Sequence, residues 1–228
     1  MNTLKTSTLK SIAKIMIFLF LALIPAAKIF ATAQMPDKLI YEGKEHALHT
    51  NPLEEYFSKH EDKWPKPEGM ITSLWRGYVA TFEVKDGWLF VREINLYMGH
   101  DRNTDKMQWK NVIGDIFKDS KDRRLDWFSG LLVLPQGKVI NYVHMGYAST
   151  FENYILLEIS NGKILKEKKL SGEAYSIFKK KQFELFKQTD EYKKQVKELT
   201  ENGKHSKAEA ERFLEIYVIE YSKKILAD

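Results

Sequence analysis

The chain has no cysteine. Disulfide staples are therefore excluded, as is a lipid anchor of the kind attached through a cysteine, and stability has to come from an ordinary hydrophobic core. No apolar run reaches the ~20 residues that a helix needs to cross a bilayer. There is no repeat of fixed period, no low-complexity tract and no glycine loop of the kind that cradles phosphate. Positive charge is also scarcer than it first looks. The formal charge is +5 with a pI near 9.0, but Lys5, Lys10, Lys14 and Lys28 supply four of those charges with no acidic residue among them. From residue 34 onward +1 remains, which does not describe a nucleic-acid-seeking surface.

Those lysines belong to the most legible feature present. Lys5, Lys10 and Lys14 precede an apolar run from Ile15 to Ala27, and Ala31-Thr32-Ala33 has the small-x-small pattern of a signal peptidase site. Residues 1–33 are expected to be a cleaved signal peptide, leaving 34–228 as one domain in the periplasm or outside the cell with no stable membrane span. Retention as an anchor is the alternative.

Turn chemistry divides the first part of that domain. Glu42-Gly43, Asp86-Gly87 and Asn161-Gly162 each separate two apolar or alternating runs, predicting hairpins over 39–48, 75–96 and 152–170. Tyr78, Ala80, Phe82 and Val84 alternate on the way out of the second hairpin; Trp88, Phe90, Arg92 and Ile94 alternate on the way back. Because both of its faces carry apolar residues, this pair is expected at the centre of a sheet or covered on both sides. Pro135-Gln136-Gly137 predicts a further hairpin, joining 131–134 to 138–143.

Helical signals frame the strands. Asn51 is placed to cap a short helix that starts at Pro52 and buries Leu53, Tyr56 and Phe57. Residues 63–69 are a loop by their prolines, 99–108 a polar loop, and 109–117 either strand or helix. After Leu170 the apolar period lengthens to about 3.5. Tyr175, Phe178, Phe183 and Phe186 form one stripe, Thr189 or Asp190 caps a continuation to a stop at Asn202-Gly203, and Ser206 to Glu209 is a capping box that opens a last helix. The expectation is an α+β domain: an antiparallel, hairpin-built sheet, curled or sandwich-like and mainly within 34–170, followed by a C-terminal helical hairpin within 171–228.

Chemistry is harder to read. Asp101-x-Asn103-x-Asp105 imitates a calcium loop, but Lys106 stands where that loop needs glycine and Val112 where it needs a bidentate glutamate. His46 and His49, at strand spacing, face opposite sides. No metal or cofactor is called for. Ser129 and Ser149 lack a nucleophile elbow. The densest polar and aromatic cluster is the stretch between the third and fourth hairpins. Tyr142, His144, Tyr147 and Glu152 are its candidate binding residues. Lys179, Lys180 and Lys181 are the densest point of a lysine-rich span and a candidate basic patch.

At Trp75-Arg76-Gly77-Tyr78-Val79-Ala80-Thr81-Phe82, Trp127-Phe128-Ser129-Gly130 and Tyr142-Val143-His144-Met145-Gly146-Tyr147 the chain resembles a set of uncharacterised exported bacterial proteins. The resemblance implies an envelope location and carries over no catalytic residue. Two function classes follow. One is a non-catalytic binding, accessory or inhibitor-type protein that engages an envelope protein or cell-surface component through the bend around 144–152. The other is an exported hydrolase that uses His144 with Ser129, Ser149, Asp126 or Glu152.

Overall fold

A computed structural model describes residues 32–201 and 205–227. The expected leader, apart from Thr32 and Ala33, and the helix stop at Asn202-Gly203 lie outside the described residues. The structure is α+β, with a large, mostly antiparallel sheet and helices gathered towards the C-terminus.

Three tight turns do what their sequences demand. Glu42-Gly43, Asp86-Gly87 and Asn161-Gly162 all have positive φ at both residues, the two-residue geometry that matches strand twist. They join β1 (Asp37–Tyr41) to β2 (Lys44–Leu48), β3 (Tyr78–Lys85) to β4 (Trp88–His100), and β7 (Thr150–Ser160) to β8 (Lys163–Ser171). The ambiguous stretch resolves into both alternatives, β5 (Met107–Asn111) followed by the single turn α2 (Ile113–Ile116).

The fourth turn is a correction. β6 runs without interruption from Gly130 to Asn141, and Pro135-Gln136-Gly137 lies inside it. Gly137, at φ +77°, forms a bulge where the β6–β7 register shifts. The Glu152 carboxylate accepts the Lys138 N–H at 2.9 Å there. Positive φ at a glycine serves a bulge as well as a turn, and the partner strand decides which. A second bulge displaces the expected alternation of β4. Thr81 pairs with Glu93 but Phe82 with Val91, so Leu89 and Val91 before it and Ile94 and Leu96 after it all reach the core.

The strand order is β2-β1-β3-β4-β8-β7-β6, with β5 added to β4; β1 and β3 are parallel and the other pairs antiparallel. β3 is interior to this order, as the apolar residues on both its faces require. The sheet curls until its ends meet, and His49 N–H donates to Val133 O at 2.8 Å. Its inside holds Leu39, Leu48, Phe82, Ile94, Leu134 and Leu157, plugged by Leu53 and Phe57 of α1 (Pro52–Lys59). A second core forms on the outer face of β6 and β7, where Leu131, Val133, Tyr154 and Leu156 are covered by helices. These are α3 (Gly172–Phe186), α4 (Asp190–Thr200), α5 (Lys207–Ile216) and α6 (Val218–Tyr221). Ser171, Thr189 and Ser206 cap the first three, Ser206 with the full capping box. The last helix expected from sequence is divided at Tyr217.

Among the described residues no helix is long and apolar enough to cross a membrane.

Candidate functional site

The bend between β6 and β7 is built by its own small residues. The Ser149 hydroxyl accepts Val143 N–H at 3.0 Å and donates to Val143 O at 3.3 Å, which closes the loop across its neck. Gly146, at φ +50°, pairs with Ala33 and accepts from Gln34 N–H at 3.1 Å. These ties turn alternate side chains to opposite sides.

Tyr147 points inward and ends on a polar cluster for which sequence alone gave no warning. Asp37 and Arg76 are both fully buried, with Arg76 Nη2 3.3 Å from Asp37 Oδ1. Asp37 Oδ1 also accepts Ala80 N–H at 2.8 Å, and Oδ2 accepts the Asn51 amide at 2.9 Å. Arg76 donates to Met35 O at 3.0 Å and to the Tyr147 hydroxyl at 3.1 Å. Burial pushes the Asp37 carboxyl upward, and the Arg76 guanidinium, Ala80 N–H and Asn51 amide oppose that push. Beside them Tyr78 donates to Glu54 at 2.7 Å. The expected cap at Asn51 is thus not made by its side chain, which is spent on Asp37 and Tyr147. Arg76 is 1% exposed and its neighbour Trp75 57%, the reverse of the usual ranking.

Tyr142 and His144 point outward. Tyr142 is 62% exposed and its hydroxyl lies 2.9 Å from His144 Nδ1. The partners considered for a catalytic histidine are engaged elsewhere. Ser129 binds Asn161, Ser149 binds Val143, Asp126 pairs with Arg124, and Glu152 holds the β6 bulge. Tyr147 therefore does not share the exposed surface of Tyr142 and His144, and the Glu152 carboxylate is spent on the β6 bulge.

Under the inward side of the bend lies a chamber of about 150 Å³. Met145, Tyr147 and Ser149 come from the bend, His49 and Tyr154 from the sheet, Tyr175, Ser176 and Lys179 from α3, and Ile216, Tyr217 and Glu220 from the α5–α6 junction. The walls are aromatic: Tyr154 and Tyr175 stack at 4.0 Å, and His49 stacks on Tyr147 at 4.6 Å. Burial drives His49 down to about 4, so its ring is neutral at ordinary pH. Lys179 lies 5.2 Å from the centre of the Tyr175 ring, and burial lowers its ammonium below the ordinary lysine value. Glu220 keeps solvent exposure on its open side but is crowded by the chamber wall, which pushes its carboxyl up to about 7. Among the described residues neither the Lys179 ammonium nor the Glu220 carboxylate has a hydrogen-bond or ion-pair partner.

The lysine triplet does not form one patch. Lys179 turns into the chamber while Lys180 and Lys181 are exposed, because successive residues on a helix point about 100° apart. The other expectations resolve locally. Asp101 accepts the N–H groups of Asn103 and Thr104 within its own loop. His46 meets Gln136 and His49 meets Tyr147, so the two histidines share no ligand. Among the described residues no group of three or more His, Asp or Glu is placed to hold a metal.

Compared with known proteins, the chain matches no family model, no curated protein and no solved structure.

Proposed function

We propose that this is an exported binding protein of the bacterial envelope that recognises its target at the chamber beneath the 142–149 bend. The observation that carries the reading is the chamber itself. It is a concave, aromatic-walled space under an exposed loop, into which two helices direct Lys179 and Glu220, side chains unused by the fold, the usual character of a ligand site. The envelope location is supported by the basic and apolar N-terminus with its small-x-small end, and by the resemblance of the three motifs to exported bacterial proteins. Binding is preferred to hydrolysis because the hydroxyls and carboxylates considered as partners for His144 are committed to turns, a bulge and an exposed ion pair.

Ile216 sits half exposed at the rim of the chamber, so Ile216→Trp should plug it with little cost to the fold. The full chain is expressed in a bacterial host, recovered from the envelope fraction and washed at high salt, and whatever protein or small molecule stays bound is identified by mass spectrometry. Wild type and His144→Ala are expected to retain the same species, and Ile216→Trp to lose it. Retention by the plugged variant, or no bound species from wild type, would overturn the reading.

A further inference from the structure

The chamber presents two ionisable side chains of opposite sign that the chain does not use on each other. Lys179 and Glu220 reach it from different helices, α3 and α6, and are not within ion-pair distance. The other residues lining it include His49, neutral at ordinary pH, and Tyr147, Tyr154 and Tyr175, whose hydroxyls burial pushes further up, with Tyr217, Ser149, Thr150 and Ser176 beside them. We infer that the chamber binds a small zwitterion of the amino-acid type, its carboxylate meeting Lys179 and its ammonium meeting Glu220. This rests on the reading of the chamber as the binding site.

Three considerations lead to that class. The first is charge balance. A lone anion would pair with Lys179 but face Glu220, and a lone cation the reverse; only a ligand carrying both charges answers both without leaving one unpaired. The second is size. A cavity of about 150 Å³ holds benzene in an engineered protein core, so the occupant has roughly six to ten non-hydrogen atoms. That suits a free amino acid and excludes a folded chain. The third is the wall. The stacked Tyr154 and Tyr175 offer flat apolar surface beside the two charges, suited to an aliphatic or aromatic side chain. The shifts agree with this picture: Lys179 is held below and Glu220 above its ordinary value, as expected of charges awaiting a counter-charge.

The test is titration calorimetry of the full chain with alanine and leucine, against alaninamide, which lacks the carboxylate, and N-acetylalanine, which lacks the ammonium. Alanine or leucine should bind at least about ten-fold more tightly than either blocked form, one pairing being worth over ~1.4 kcal/mol. In Lys179→Gln the preference over alaninamide should vanish while that over N-acetylalanine persists; in Glu220→Gln the pattern should invert. The blocked ligands test the inference on wild-type protein even where a variant folds poorly. Equal binding of free and blocked forms would overturn it, and so would the absence of binding by any amino acid. If Ile216→Trp then still releases a co-purified species, the chamber remains a binding site for another class of ligand. If the plug releases nothing, both readings fall.

Discussion

Arg76 ties the bend to the start of the β1–β3 ladder. Its guanidinium meets Asp37, Met35 O and Tyr147, so a single buried side chain adds the bend to β1 and to the segment that leads into β3. An isolated buried carboxylate costs far more than a buried pair, because nothing replaces its lost hydration. Arg76→Met should therefore destabilise the protein by about 3–5 kcal/mol in denaturant unfolding, with Arg76→Met/Asp37→Asn losing less than the two single changes summed. Additive losses would mean that the pair does not act as one unit.

Two residues of the chamber give the stability a readable pH dependence. His49 falls from 6.5 to about 4 on folding. Between those values the unfolded chain takes up a proton that the folded chain refuses, so its contribution is complete above 6.5 and is lost as pH falls. Glu220 rises from 4.5 to about 7. Its contribution is complete below 4.5 and is lost as pH rises through 7. The two slopes oppose each other between 4.5 and 6.5, and wild type conceals them. Against wild type, His49→Phe should lose less stability on acidification, and Glu220→Gln should lose less on approach to neutrality. Melting temperatures from pH 4 to 8 would show it; two variants tracking wild type at constant offset would refute it.

At the scale of elements, the C-terminal tail is held by side chains and not by a ladder. Buried Glu158 of β7 accepts Ile225 N–H at 2.8 Å. Gln182 of α3 accepts from Leu226 at 2.8 Å and Ala227 at 3.1 Å while donating to Lys224 O at 2.7 Å. Lys168 of β8 donates to Ala227 O. Ending the chain at Ser222 would strand Glu158 and Gln182 without partners, at an expected cost of about 2–4 kcal/mol in thermal or denaturant unfolding. A smaller loss would mean that water satisfies them. The turn at Asn161-Gly162 is braced in the same non-local way, since a Cβ on Gly162 would lie 2.8 Å from Leu125 O at a φ of +78°. Gly162→Val should lower stability by ~1–3 kcal/mol, and an unchanged melting temperature would show that the segment at Leu125 yields.

The described part of the molecule is a curled sheet with one core inside and another between its outer face and the helices, and β6 and β7 belong to both. Leu132 and Leu134 serve the inner core, Leu131 and Val133 the outer. Neither layer can come apart without exposing a shared strand. Unfolding should therefore be a single cooperative event, with far-ultraviolet dichroism and tryptophan fluorescence giving coincident transitions. The tryptophans lie outside the helices, so a helical layer melting first would separate the two curves.

What the sequence determined by itself is local: the three two-residue turns, the capping box at Ser206 and Glu209, the stripe of Tyr175, Phe178, Phe183 and Phe186, and the α+β division near residue 170. Each depends on side chains a few positions apart, where backbone sterics and helical or strand period act directly. What only the tertiary structure decided depends on partners distant in the chain. Gly137 became a bulge because β7 offered Glu152 opposite it. Asn51 does not cap its helix because its amide donates to Asp37 and Tyr147 instead. Arg76 was buried because a counter-ion, Asp37, waited inside for it. The chamber, with Lys179 and Glu220 brought to it by separate helices, has no counterpart in any motif. Its shape follows from how the bend and the helices pack on one sheet face, and burial, which sets its charges, exists only once they do.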